Sequence, residues 1–404
     1  HTLLTITDDD SEVTAAIAET LAQTDPSRTL PVEFVVAFGR EIDPATFTID
    51  DIVQAGTATG ITWNLTTSDN TTFVLGATAI EGDGTLIPTL AANRVTDVFG
   101  NPNLAAVASD NEVTYDSTSP TVQIVKAPTQ DTPTNTLPVE FLVAFSEAID
   151  PTTFTASDIA QAGDATVDTW TVTNSGDDTN FTVRATAVTT DPIELTTIAP
   201  ALAADAVTDE AGNGNDAVSG PDTGVEFNDN DLTVTVSRQL GQAAIVAAAP
   251  AVFKVVFNKS IVPASFTADD ISNRGTVSDG DLTWTITNTD GGDFKLFEIT
   301  ATGIASDGTV NPQIAVDLVE DAAGNLNLVS TDSGDNTVLM DATAPTVTIE
   351  QAATADVTQQ DPTNDPLITF IITFSEAINP STFSTVDIEQ TTGAGFATGI
   401  SWNL

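Results

Sequence analysis

LPVEFLVAFSEAIDPTTFTASDIAQAGDATVDTW, residues 137 to 170, decides the fold because the chain writes it four times. The other copies run from Leu30 to Trp63, from Ala251 to Trp284 and from Leu367 to Trp402, so each copy ends on one of the four Trp residues. Self-similarity of this kind marks one supersecondary unit repeated in tandem. Within the stretch, Val139, Phe141, Val143 and Phe145 fall on every second position, the period of a strand with one buried face. The same face returns as Val32, Phe34, Val36 and Phe38, as Phe253, Val255 and Phe257, and as Ile368, Phe370, Ile372 and Phe374.

After each strand comes a turn, Ile149-Asp150-Pro151 in the second copy, because Pro donates no ladder hydrogen bond and disfavours helix before it. Thr155 followed by Asp158 then has the spacing of a capping box around a single helical turn. Its counterparts are Thr48 with Asp51, Thr267 with Asp270 and Ser384 with Asp387. The next strand alternates Thr with the Trp, and a Trp buried against the Phe residues is expected to form each core.

Successive Trp residues are 107, 114 and 118 residues apart, a spacing that suits immunoglobulin-like sandwiches of about 100 residues. The expected fold is all-β: three complete sandwiches over residues 1–116, 117–228 and 229–341, and the first half of a fourth over 342–404, in an extended array. Two junctions share their wording, Asp116-Ser117-Thr118-Ser119-Pro120-Thr121-Val122 and Asp341-Ala342-Thr343-Ala344-Pro345-Thr346-Val347, where Pro limits bending. The junction between them reads Asn228-Asp229-Asn230-Asp231 and introduces a divergent third copy that holds five of the ten basic residues. The half-length fourth copy suggests a window on a longer polypeptide, or completion by strand addition from a neighbouring molecule. Thr59 to Leu65 and Thr398 to Leu404 are nearly the same heptapeptide, which suggests a superperiod of three copies.

The chain of 404 residues carries 58 acids against 10 bases, a formal net charge of -48. Such a field repels nucleic acid and anionic membrane and accumulates cations. Disorder is the usual fate of acidic chains, but 41% hydrophobic residues in strict alternation argue for folding. With no Cys there is neither disulfide nor thiolate metal site, and the single His is His1. No GxSxG, HExxH or phosphate-cradling glycine loop occurs, so no enzymatic activity is expected. No apolar run is long enough to span a bilayer. Asn64, Asn70, Asn180 and Asn258 match the glycosylation pattern, which is frequent by chance in a Thr-rich chain.

The second half of each full copy holds Val95-Thr96-Asp97-Val98-Phe99-Gly100-Asn101, Val207-Thr208-Asp209-Glu210-Ala211-Gly212-Asn213 or Val319-Glu320-Asp321-Ala322-Ala323-Gly324-Asn325. A tight turn explains DxxGN, with Gly at positive φ and the Asp and Asn side chains bonding nearby backbone. Hard oxygen ligands for calcium, which takes about 6 to 8 of them, explain it as well. In an immunoglobulin-like sandwich this turn, the turn after the second strand and the incoming linker share one end. Asp116, Glu147, Asp150, Asp209 and Asn213 are therefore expected to meet at the first junction. Asp97 and Asn101, Asp321 and Asn325, and Asp229, Asp341 and Glu376 complete the candidate metal set.

The combination of VTDxAGN, DxTxPTVxI and FSEAIDP resembles the bacterial Ig-like repeats of large secreted adhesins and cell-surface proteins, over essentially the whole chain. Asn379 and Val262 depart from the Asp of the IDP turn, and the third copy lacks the Pro linker. The resemblance implies an extracellular stalk, surface layer or fibril with calcium at its domain junctions. The partners it implies are other repeats of the same polypeptide, identical chains in a fibril, or surface glycans. A glycan-binding module and a self-assembling filament subunit stand as alternatives.

Overall fold

A computed structural model describes residues 11–67, 69–189, 194–218, 224–354, 357–358, 362–391 and 399–404. The opening LLTITDDD run and Thr398 lie outside them. Among the described residues there is no α-helix, only strands and three-residue 3-10 turns. The chain forms two compact units, residues 1–232 with 320–326, and residues 233–319 with 327–404.

In the first unit, the first copy builds a five-stranded sheet in the order Thr62–Thr67, Thr72–Ala79, Val32–Phe38, Ala15–Glu19, Val107–Ala108. The second copy builds the corresponding four strands, Thr166–Asn174, Asn180–Thr189, Val139–Phe145 and Val122–Lys126. The opposing layer consists of short pairs, Ile52–Gln54 with Pro88–Leu90 and Gly84–Leu86 with Val113–Tyr115 in the first copy. Ile159–Gln161 with Pro200–Leu202 and Thr196–Ile198 with Val225–Phe227 repeat them in the second. In the second unit the third copy repeats the large sheet as Thr283–Asn288, Leu296–Thr302, Ala251–Phe257, Val234–Arg238 and Thr331–Asp332. Every strand pairing among the described residues joins residues of one sequence copy.

The alternation read from the sequence is the burial pattern of the central strand. Val139, Phe141, Val143 and Phe145 are at most 6% exposed, as are Val32, Phe34, Val36 and Phe38. One Phe of this strand meets two others edge to face in each of the first three copies: Phe38 with Phe47 and Phe73, Phe145 with Phe154 and Phe181, Phe257 with Phe266 and Phe297. Each such pair contributes about 0.5 to 1.5 kcal/mol beyond the area it buries.

The Trp residues differ from expectation. Trp63, Trp170 and Trp284 are half-buried, because each stands on the strand at the edge of its sheet. Their rings lie 6.2 to 6.3 Å from Phe34, Phe141 and Phe253, so they close the side of the core rather than fill it. The capping boxes form as read: Thr48 and Thr155 each donate N–H and Oγ–H to the carboxylate three residues on. In the fourth copy Val347–Gln351 pairs only with Phe370–Phe374 among the described residues. Phe370 is accordingly 43% exposed where Phe34, Phe141 and Phe253 are 0% exposed.

Candidate cation site at the first junction

The site is assembled from the linker, the end of a strand and the DxxGN turn of the second copy. Asp116 follows strand Val113–Tyr115 directly, and its N–H donates to Ser27 O at 3.0 Å, so the preceding copy fixes it. Glu147 follows Ser146, which is tied to the linker twice: Ser146 N donates to Thr121 O and Thr121 N donates to Ser146 Oγ, both at 2.9 Å. Asp209 opens the turn, where Gly212 takes φ 90°, a conformation that costs glycine nothing. Asp209 Oδ1 accepts from Asn213 N at 2.8 Å and Oδ2 accepts from Asn213 Nδ2 at 2.9 Å. The same Nδ2 donates to Asp116 O at 3.0 Å, latching the turn to the linker. In the third copy Asn325 Nδ2 bonds Asp321 Oδ2 at 2.9 Å and Asn228 O at 2.8 Å in the same way.

One carboxylate oxygen from each of Asp116, Glu147 and Asp209 lies within 4.8 Å of the others. Three like charges at that spacing repel by about 1 kcal/mol per pair in bulk water and more at the lower effective dielectric of a protein surface. Desolvation pushes the Asp116 and Glu147 carboxyls above the usual range, and the neighbouring acids push them further: Asp209 and Asp83 on Asp116, and Asp116, Asp209 and Asp83 on Glu147. Among the described residues Arg28, whose Nε lies 3.6 Å from where a Cβ on Gly212 would stand, forms no ion pair with this cluster.

Of the residues expected to meet here, Asp116, Glu147, Asp209 and Asn213 do, with Asn213 as hydrogen-bond donor. Asp150 does not join them. Its Oδ1 accepts from Thr152 N at 2.9 Å and Thr152 Oγ1 at 2.7 Å, bonds that hold its carboxyl below the usual range. In the first copy Asp97 and Asn101 form the same turn, but Arg40 Nη1 stands 3.3 Å from Asp97 Oδ2. Burial opposes ionisation of Asp97, yet bonds from Asn101 and Phe99 together with the Arg40 charge bring its carboxyl below the usual range. Asp321 and Asn325 form the third turn, and Asp229 is exposed. Asp341 N donates to Val246 O at 2.9 Å. Glu376 keeps one carboxylate oxygen shut from solvent with no hydrogen-bond partner.

Sequence reasoning missed Asp83. It accepts from Ser117 N at 3.1 Å, Ser117 Oγ at 2.8 Å and Thr118 Oγ1 at 2.5 Å. Burial works against its ionisation, but these bonds prevail and hold its carboxyl low. Asp307 does the same for Ala342 N, at 2.6 Å, and for Thr343 Oγ1. The signal was the shared Asp-Gly-Thr at residues 83–85 and 307–309.

No family model matches the chain, and no curated protein matches it. Among solved structures the chain is similar to invasin, a bacterial integrin-binding protein, at 12% identity over 85% of this chain, with a TM-score of 0.32. It is also similar to domains 1-6 of the surface layer protein SbsC, at 10% identity over 91% of this chain with a TM-score of 0.19. A further S-layer structure, rSbsC, gives 13% identity over 91% with a TM-score of 0.16. The chain spans 63%, 63% and 62% of the length of these three. The fold class rests on the strand pattern and pairing within each copy.

Proposed function

We propose that this chain is a structural and adhesive segment of an extracellular bacterial surface protein, a spacer of tandem β-sandwiches whose first junction is stiffened by a divalent cation, calcium by its hard oxygen donors. The observation that carries this is the convergence of Asp116, Glu147 and Asp209 where linker and second copy meet. Three carboxylates with no ion pair to them among the described residues repel one another, and a divalent ion reverses the sign of that term. Because every strand pairing among the described residues stays within one copy, each copy added lengthens such a spacer, and its stiffness would reside in the linkers. Backbone carbonyls such as those of the linker and turn supply further ligands of the kind calcium takes.

The test is chelation of the whole chain followed by calcium readdition, read by thermal melting and small-angle scattering. Chelation is expected to lower the melting temperature and shorten the maximum dimension, with calcium restoring both. Identical melting and scattering in chelator and calcium refute the role of the cation.

A further inference from the structure

Strand register makes the positions around the junction comparable between copies. Gly39 N to Thr14 O, Ser146 N to Thr121 O, Asn258 N to Thr233 O and Ser375 N to Thr346 O are one hydrogen bond repeated four times, at 2.9, 2.9, 3.1 and 2.9 Å. The residue after each donor is therefore one structural position, filled by Arg40, Glu147, Lys259 and Glu376. The pairs Gly84 with Tyr115, Thr196 with Phe227 and Gly308 with Met340 do the same for the flanking residues. They equate Asp83, Leu195 and Asp307, and likewise Asp116, Asn228 and Asp341.

These three positions change together. The sets are Asp83, Asp116 and Glu147, then Leu195, Asn228 and Lys259, then Asp307, Asp341 and Glu376. Two sets hold three carboxylates each, and the set between them holds none and gains an ammonium. A merely solvated acidic face gives no reason for three positions on separate elements to switch as a block.

A second observation shows what the acidic sets lack. In the first copy a cation already sits on the DxxGN carboxylate: Arg40 Nη1 lies 3.3 Å from Asp97 Oδ2, the oxygen that also accepts from Asn101 Nδ2. Arg40 occupies the position of Glu147, and Asp97 that of Asp209. Lys259, in the same position of the third copy, is only 4% exposed, and an ammonium that buried is stable only where its charge is compensated. Glu376, in the fourth, has the buried carboxylate oxygen without a partner.

We infer that this one position selects between two kinds of site: Arg40 supplies a built-in cation to the DxxGN carboxylate of its own copy, whereas Glu147 and Glu376 complete carboxylate sets that take a divalent cation from solution. The inference rests on the proposed cation at the first junction and adds the residue that decides it. Glu147 supplies an oxygen to the ion, and its replacement by a cationic side chain recreates the Arg40 to Asp97 arrangement on Asp209.

The experiment is calcium titration calorimetry on the full chain, with thermal melting in chelator, for the unaltered protein, Glu147→Arg and Glu147→Gln. Glu147→Arg is expected to abolish one calcium equivalent and to melt in chelator no lower than the unaltered protein. Glu147→Gln, which keeps the side-chain size, is expected to weaken that equivalent more than tenfold, so the inference remains open to test even where the Arg variant does not fold. If the unaltered chain takes up no calcium, the proposed junction cation fails and this inference with it. If it takes up calcium and both variants bind with unchanged stoichiometry and affinity, the selector role fails alone.

Discussion

Asn213→Ala perturbs the junction at a point where the structure sets the magnitude. Asn213 is 5% exposed, and its Nδ2 is the single donor shared by Asp209 Oδ2 at 2.9 Å and Asp116 O at 3.0 Å. A hydrogen bond to a charged group contributes about 1.5 to 3 kcal/mol and one to a neutral carbonyl about 0.5 to 1.5 kcal/mol. The two share one amide, so the expected loss is about 2 to 4 kcal/mol. The loss falls on the local opening of the turn rather than on the distant cores. Hydrogen exchange is the assay, because the amides of Asn213 and Asn215 close the turn onto Asp209 Oδ1 and Val207 O. At 1.36 kcal/mol per tenfold, their exchange is expected to accelerate about thirtyfold to several hundredfold, with the amides of Val139–Phe145 unchanged. Asn213→Asp is the sharper variant: it exchanges the donor for a fourth carboxylate, so in chelator it is expected to open at least as readily as the Ala variant and in calcium to recover. Acceleration below about threefold in Asn213→Ala, or an Asn213→Asp variant as protected in chelator as the unaltered chain, refutes the latch.

Acidification of the chelated protein should first tighten the junction. Asp116 and Glu147 have raised folded pKa values, so the stability they withhold at neutral pH returns as pH falls through those values and is fully present below the unfolded ones, near 4. Melting in chelator is therefore expected to rise as pH falls from neutrality toward the unfolded values and in saturating calcium to stay level, and a monotonic fall in chelator would contradict the assignment. Gly163→Ala places a Cβ 2.0 Å from Thr197 O, against backbone that has no rotamer to yield, as Gly56 and Gly275 would at 2.0 and 1.9 Å from Thr85 O and Thr309 O. A loss of about 1 to 3 kcal/mol in urea unfolding is expected, and a neutral variant would show that the strand edge moves freely.

Much of the fold was legible because its signals are local and written four times. Period-two burial needs only the sequence of one strand, and Thr155 with Asp158 needs only four residues. The half-buried Trp170 was not legible, since a Trp alternating with Thr is compatible with a central or an edge strand, and strand order is a property of the whole sheet. The site divided along the same line. Asp116, Glu147 and Asp209 follow from knowing which loops share an end of a sandwich. Asp150 was misplaced because an Asp two residues before a Thr N–H closes its own turn, a local bond that outcompetes a distant ligand. Asp83 was overlooked because its role depends on strand Gly84–Leu86 pairing with Val113–Tyr115 across some thirty residues, and that register brings it beside the linker.

The acidity of the chain, read as one number, hides two populations with opposite tendencies. Asp177 and Asp290 sit in hairpin turns of the large sheets, where bonds from Asn180 lower the first to about 2 and bonds from Lys295, Asn288 and Leu296 overcome burial to lower the second to about 2. Their negative charge stabilises the turn it belongs to, by occupying N–H groups that hairpins leave open. Asp116 and Glu147 are raised instead, and their charge opposes the arrangement that holds them. A protein selected only for solubility has no reason to keep the second kind beside Asp209, since Asn228 and Lys259 show that the same fold accepts neutral and cationic residues at those positions. Under the proposed function, Asp116 and Glu147 are the carboxylates whose charge a divalent cation would neutralise, and a net charge of -48 concentrates cations at the surface.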